Sequence, residues 1–150
     1  MRLRAGTQNV PYIVGLTEAF EITQNQLQEF HKRLETLRDR IIKMVVNEIP
    51  ETKLTGHPTK RLPNHASFAF RNINGNDLLM ALDQAGYACS SGSACKVGNP
   101  DPSDILLAIG LQLDWALGSL RVTLGRETLS DQVDHFLDVL PSIIKKLRSA

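Results

Sequence analysis

Charge of one sign is what this sequence lacks most plainly. Lys and Arg number 17 against 16 Asp and Glu, a formal net charge of +1 over 150 residues. Nucleic-acid binding rests on a cationic face that neutralises phosphates, so a chain this balanced gives no electrostatic basis for direct contact with DNA or RNA. Long hydrophobic runs are missing too. No apolar stretch approaches the roughly 18 residues that suggest a membrane span, so no membrane partner is expected. Met1-Arg2-Leu3-Arg4 leads into a Gly/Thr/Gln/Asn turn instead of an apolar segment, and a secretory signal is not expected there. Cysteine is scarce, with Cys89 and Cys95 alone. Two thiols without a secretory signal fit a reducing, cytoplasmic setting, where a thiol is more at home as a nucleophile or in a core than in a disulfide. They have no further Cys and no nearby His, which argues against a zinc site. Internal repeats and low-complexity segments are absent. His31, His57, His65 and His135 are scattered, and no Ser-His-Asp or paired-carboxylate arrangement is legible.

What is present is the composition of one globular domain, 42% hydrophobic and 22% charged, long enough to bury a core. Residues 1–9 read as a polar loop, and Pro11 suits the first turn of a helix, where its missing N–H costs nothing. From Tyr12 to about Ile49 the pattern is helical. Leu27, Phe30, Leu34, Leu37, Ile41 and Met44–Val45 recur at steps of three and four, with charged residues opposite. A bend is conceivable near Gly15 or Thr23. Thr52–Thr55 is short and β-prone, and His65–Arg71 alternates as a half-buried strand. Asn74-Gly75-Asn76 turns the chain, with Asn76 or a neighbour capping a helix over Asp77–Ala85 that stops at Gly86. Tyr87–Cys89 reads as a short strand, Ser90–Asp101 as a Ser/Gly/Asn/Pro loop, and Pro102–Ile109 as a helix ending at Gly110. Trp115 and Leu117 pack in a link, Leu120–Leu124 is a strand, and Ser130 caps an amphipathic helix to about Arg148. The sum is α+β: a small sheet covered by helices, with one long N-terminal helix.

Three stretches could carry chemistry. In Ala88-Cys89-Ser90-Ser91-Gly92-Ser93-Ala94-Cys95-Lys96, small residues cannot anchor the chain by burial, so Cys95 is expected to be accessible. Lys96 beside it favours the nucleophilic thiolate, whereas Cys89 follows apolar residues and is expected to be buried. An exposed thiol without a role is the plain alternative for Cys95. In Gly118-Ser119-Leu120-Arg121-Val122-Thr123, an Arg among apolar and hydroxyl residues demands a partner, and its planar fork suits a carboxylate. That carboxylate is either a structural Asp/Glu or a ligand, and the residues alone favour the structural pair. In Arg4-Ala5-Gly6-Thr7-Gln8-Asn9, a basic Gly-containing loop ahead of a helix can hold a phosphate, although most such loops only cap the helix.

Taken together and in order, RAGTQNVPYIVGLTEA, RLPNHASFAF, ACSSGSACKVGNPDPS and GSLRVTLGRET resemble the C-terminal part of cysteine desulfurases, class-V aminotransferases that use pyridoxal phosphate. The resemblance covers essentially the whole chain, and SSGSAC followed by SLRVTLGR is its specific part. The spacing from Cys95 to Arg121 looks like the branch with the longer Cys loop. The resemblance implies the small C-terminal domain of a fold-type-I pyridoxal phosphate enzyme. Residues 1–10 would be a loop from the large domain, and residues 11–150 the small domain with its long linking helix. Cys95 would be the catalytic cysteine that takes sulfur from L-cysteine as a persulfide, leaving L-alanine. Arg121 would bind the substrate carboxylate, and Thr7 would reach the cofactor phosphate of the neighbouring subunit in a homodimer. Cys89 matches no catalytic position. Further partners would be a sulfur acceptor or an iron–sulfur scaffold protein, with Cys95 a transient iron–sulfur ligand; no resident metal is expected.

The resemblance also implies what is not here. The lysine that carries the cofactor lies in the family's large domain, and no stretch of this chain resembles its SxHK segment. Lys32, Lys43, Lys53, Lys60, Lys96, Lys145 and Lys146 fall in helices, turns or the Cys loop. The expectation is a C-terminal fragment that neither binds the cofactor covalently nor desulfurates cysteine alone. Its alternative is a stand-alone sulfur carrier or association module without cofactor chemistry. Apolar surface is expected to be uncovered on the first half of the long helix.

Overall fold

The computed structural model describes residues 6–91 and 102–149. The elements follow in the order α1 (Val10–Glu48), β1 (Thr52–Leu54), β2 (His65–Phe70), α2 (Gly75–Gln84), α3 (Asp104–Ala108), α4 (Leu113–Ala116), β3 (Ser119–Thr123) and α5 (Ser130–Arg148). The strands form one antiparallel sheet in the order β1-β2-β3, with Phe68 opposite Leu120 and Ser67 opposite Arg121. The predicted α+β class is the observed one.

Helix α1 is continuous for 39 residues, and the bend considered near Gly15 or Thr23 does not interrupt it. Its two halves differ. From residue 26 onward the apolar stripe closes on the core, with Leu34, Leu37, Ile41 and Val45 buried. From Val10 to Asn25 every residue is exposed. Strand alternation sorts the sheet into two faces. Ala66, Phe68, Phe70, Leu120 and Val122 enter the core beneath α1, α2 and α5, which contributes Val133, Phe136, Leu140 and Ile144. His65, Ser67, Arg121 and Thr123 share the opposite, polar face.

Several local expectations are corrected. Tyr87–Cys89 is not a strand; an isolated bridge joins Ser90 to Arg121 one residue later. Helix α2 begins at Gly75, because the Asn74 side chain takes the Asn76 N–H at 2.9 Å, so Asn74 is the cap. The helix expected over Pro102–Ile109 is limited to Asp104–Ala108, and Trp115 lies in a short helix, α4, instead of a link. Ser130 does not cap α5. It is already helical and its Oγ accepts from Arg40 of α1 at 3.1 Å, while the Gln132 side chain receives the Leu129 N–H at 2.9 Å.

Two glycines set how closely the chain packs around β2. A Cβ on Gly118 would stand 2.0 Å from the Phe70 carbonyl oxygen, and one on Gly75 would stand 2.8 Å from that of Leu117. Only glycine lets these backbone segments approach. Arg148 ties the end of α5 to the same region by donating to the carbonyls of Pro50 (2.8 Å), Glu51 (3.1 Å) and Arg71 (3.3 Å).

Candidate functional site

Arg121 sits in the middle of β3, half-buried on the polar face of the sheet. The residues alone favour a structural carboxylate that neutralises it. Among the described residues none does: the ion pairs there belong to Arg38, Arg40, Arg71 and Arg126. The guanidinium instead donates from Nη2 to Ser90 Oγ at 3.1 Å. The same two residues are bridged through their main chains, Arg121 N–H to Ser90 O at 2.6 Å and Ser90 N–H to Arg121 O at 3.2 Å. Among the described residues the side-chain partner of this cation is thus a neutral hydroxyl, and a planar anion suits its remaining N–H donors.

The surroundings of Arg121 are cationic. His65 lies one strand-pair away on the same face, opposite Thr123. Burial pushes its imidazole below the ordinary histidine range, and the charges of Arg61 and Arg121 push it further down. Arg61 is spent on carbonyls, those of His57 (2.9 Å), Thr55 (3.0 Å) and His65 (3.5 Å). It therefore braces the β1–β2 connection while leaving its charge beside the sheet. Ser67, directly across from Arg121, receives the Thr55 hydroxyl at 2.7 Å. Sequence reasoning counted His65 among scattered histidines and gave Ser90 no role. The signal that joins them to Arg121 is strand register, which no local pattern of residues reveals.

The other sequence-predicted residues stand apart. Thr7 is exposed just ahead of α1, whose first turn is capped by Asn9 taking the Tyr12 N–H at 3.3 Å. At about 1.5 Å rise per residue, Val10 stands roughly 36 Å along the helix from Leu34, its first buried position. One copy of the chain therefore does not bring Thr7 to Arg121. Cys95, with Lys96 and most of the expected Cys loop, lies outside the described residues. Cys89 is a free thiol, half-buried beside a cleft of about 520 Å³ lined by Tyr87, Val122, Leu124, Val133 and Phe136. Burial pushes its pKa up to about 11, so it is almost wholly the un-ionised thiol at neutral pH and a poor nucleophile. Tyr87 rests edge-on against Phe136 and pairs through its hydroxyl with His135 Nδ1. No group of three or more His, Cys, Asp or Glu side chains among the described residues is placed to hold a metal ion. No helix among them is long and apolar enough to cross a membrane.

The sequence model of the aminotransferase class-V family matches residues 1–136. Cysteine desulfurase IscS 1 of Archaeoglobus fulgidus is 47% identical over 147 residues, 98% of this chain and 38% of its own length. Cysteine desulfurase IscS of Methanosarcina thermophila is 44% identical over 146 residues, 97% of this chain and 36% of its own length. The chain thus spans little more than a third of these curated relatives. Among solved structures, a NifS-like protein superposes with a TM-score of 0.79 at 32% identity, over 97% of this chain and 36% of that one. The NifS-like protein from Rickettsia africae gives the same TM-score at 22% identity, over 95% of this chain and 37% of that one, which bears on the fold alone.

Proposed function

The chain belongs to the aminotransferase class-V family, and from that premise we propose that it is the small-domain portion of a cysteine desulfurase. The observation that carries the reading is Arg121: a half-buried guanidinium with no carboxylate partner among the described residues, on the polar face of the sheet. In this reading residues 1–10 belong to a loop of the large domain and residues 11–150 form the small domain.

Pyridoxal phosphate is implied by the family. The donors of this chain suit the anionic ends of such a site: the Arg121 guanidinium for a substrate carboxylate, and the Thr7 hydroxyl for a phosphate. When bound, the cofactor supplies an electron sink that weakens the substrate C–S bond. This chain supplies position and nucleophile. Arg121 holds L-cysteine by its carboxylate, fixing where the sulfur stands. The Cys95 thiolate attacks that sulfur, forming an S–S bond as the Cβ–S bond breaks. The carbon skeleton takes up a proton and leaves as L-alanine, and the persulfide remains on Cys95. Cys89, neutral and half-buried, takes no part. In this reading Thr7, which lies at the far end of α1 from the buried half of the helix, serves the phosphate of a second subunit's site, as the family resemblance implies, and the working form is a homodimer. The persulfide then goes to a sulfur acceptor or iron–sulfur scaffold protein in a reducing compartment, the cytoplasm.

Mixing the chain with a polypeptide that supplies the rest of a relative's sequence, with pyridoxal phosphate and L-cysteine, tests this. L-Alanine is the expected product. Cys95→Ser abolishes it, and Arg121→Gln raises KM for L-cysteine by roughly ten- to a hundredfold, as expected for a lost charged hydrogen bond. Alanine release indifferent to both changes would refute the reading.

A further inference from the structure

Ser90 meets Arg121 through three hydrogen bonds, two between main chains and one from the guanidinium Nη2 to Oγ. The hydroxyl proton is already committed, because Ser90 Oγ donates to the Ser91 carbonyl at 3.1 Å. Its oxygen is thereby left as an acceptor aimed at the guanidinium. The bridge fixes the two Cα atoms opposite each other, and the side-chain bond then fixes the rotation of the Arg121 fork. Across the sheet on the other side stands Ser67, whose Oγ is already engaged by Thr55. Ser90 is thus the hydroxyl that orients the cation. It is also the last residue before Ser91 and the stretch of chain that holds Cys95.

We propose that Ser90 is the positioning residue of the carboxylate site: its hydroxyl holds the Arg121 guanidinium in the orientation that receives a substrate carboxylate, from the root of the segment that bears the nucleophile. The proposal rests on the reading of Arg121 as the carboxylate-binding residue. A long side chain with four rotatable bonds loses less freedom on binding when one N–H is already tethered. Ser90 touches no reacting atom; it acts through Arg121.

The test is an NMR titration of the full chain with L-alanine, following the backbone amides of Ser67 and Val122, which are present in every variant. In the wild type these amides shift saturably. Ser90→Ala raises the dissociation constant roughly three- to tenfold, less than the loss of a direct hydrogen bond to a charged group, because Ser90 acts through Arg121. Ser90→Thr, which keeps the hydroxyl, returns it to within about twofold of wild type, and the urea midpoint is the same in all three proteins. Arg121→Gln abolishes the saturable shift. If Ser90→Ala titrates like the wild type while Arg121→Gln does not bind, the positioning role is wrong and the reading of Arg121 stands. If Ser90→Thr behaves like Ser90→Ala, or affinity falls only in step with the urea midpoint, the hydroxyl is not the cause and the proposal fails. If Arg121→Gln titrates like the wild type, or the wild type shows no saturable shift, the reading of Arg121 falls and the proposal with it.

Discussion

His65 shows how the cationic face acts on a single residue. Its imidazole is held below the ordinary histidine pKa first by burial, then by Arg61 and Arg121, and among the described residues no carboxylate counters them. The unfolded chain therefore binds a proton at His65 at a pH where the folded chain does not. Stability then rises with pH from the folded pKa up to the unfolded value near 6.5, and this contribution is flat above it. Urea midpoints of the wild type should fall between pH 7.5 and pH 5.0 by more than those of His65→Gln, measured side by side. Equal falls would mean that neither burial nor the two arginines holds the imidazole below its ordinary range. Arg38 is a contrasting cation. It is 2% exposed, but it holds Asp39 at 2.7 Å, Glu35 at 3.0 Å and the Leu62 carbonyl at 3.0 Å, so its charge is answered locally. Arg121 has no such answer among the described residues, which is why a ligand carboxylate is assigned to it.

At the scale of elements, backbone closeness decides what the sheet tolerates. A Cβ at Gly118 would be 2.0 Å from the Phe70 carbonyl and 3.1 Å from that of Ile73, both rigid backbone atoms. Gly118→Ala should cost about 3 kcal/mol in urea unfolding, the upper part of the range for forced overpacking. Gly15 lies in the exposed half of α1, and a methyl group placed on it would meet nothing within 4 Å. Gly15→Ala should therefore gain about 1 kcal/mol from helix propensity alone. A neutral Gly118→Ala would mean that β2 and β3 slide apart cheaply. The elements themselves were largely readable. The i, i+3, i+4 stripe gave α1 and α5, alternation over His65–Arg71 gave β2, and the strand expected over Leu120–Leu124 is β3 shifted by one residue. Misreadings arose where side chains and tertiary contacts override local signals. Ser130 looked like a cap but is claimed by Arg40 across the interface between α1 and α5. Tyr87–Cys89 has strand-like composition, yet only Ser90 finds a partner on β3. Of the site, Arg121 was visible as a misplaced cation, whereas Ser90 and His65 became its neighbours only through register.

For the whole molecule, the feature that most needs covering is the first half of α1. Tyr12 is 79% exposed, Leu16 71% and Phe20 61%, and Val10, Ile13, Val14 and Ile22 are exposed with them. At 100° per residue these positions surround the helix instead of forming one stripe, the pattern of a helix buried on all sides. In the proposed assembly the large domain encloses this segment. The chain by itself should therefore self-associate in sedimentation velocity, and Leu16→Glu with Phe20→Glu should shift it toward monomer without moving its urea midpoint, because neither residue touches the core. A wild type that stays monomeric across the concentration series would show that this surface needs no cover.

The central claim is that this chain carries sulfur on Cys95 while Arg121 holds the substrate. Peptide mass mapping tests it most directly, after the chain has reacted with L-cysteine in the presence of the complementing polypeptide and pyridoxal phosphate. The account predicts one added sulfur on the peptide containing Cys95, none on the peptide containing Cys89, and in Arg121→Gln a label that reaches the wild-type level only at higher L-cysteine. Sulfur on Cys89, or on neither thiol while L-alanine is released, would contradict it.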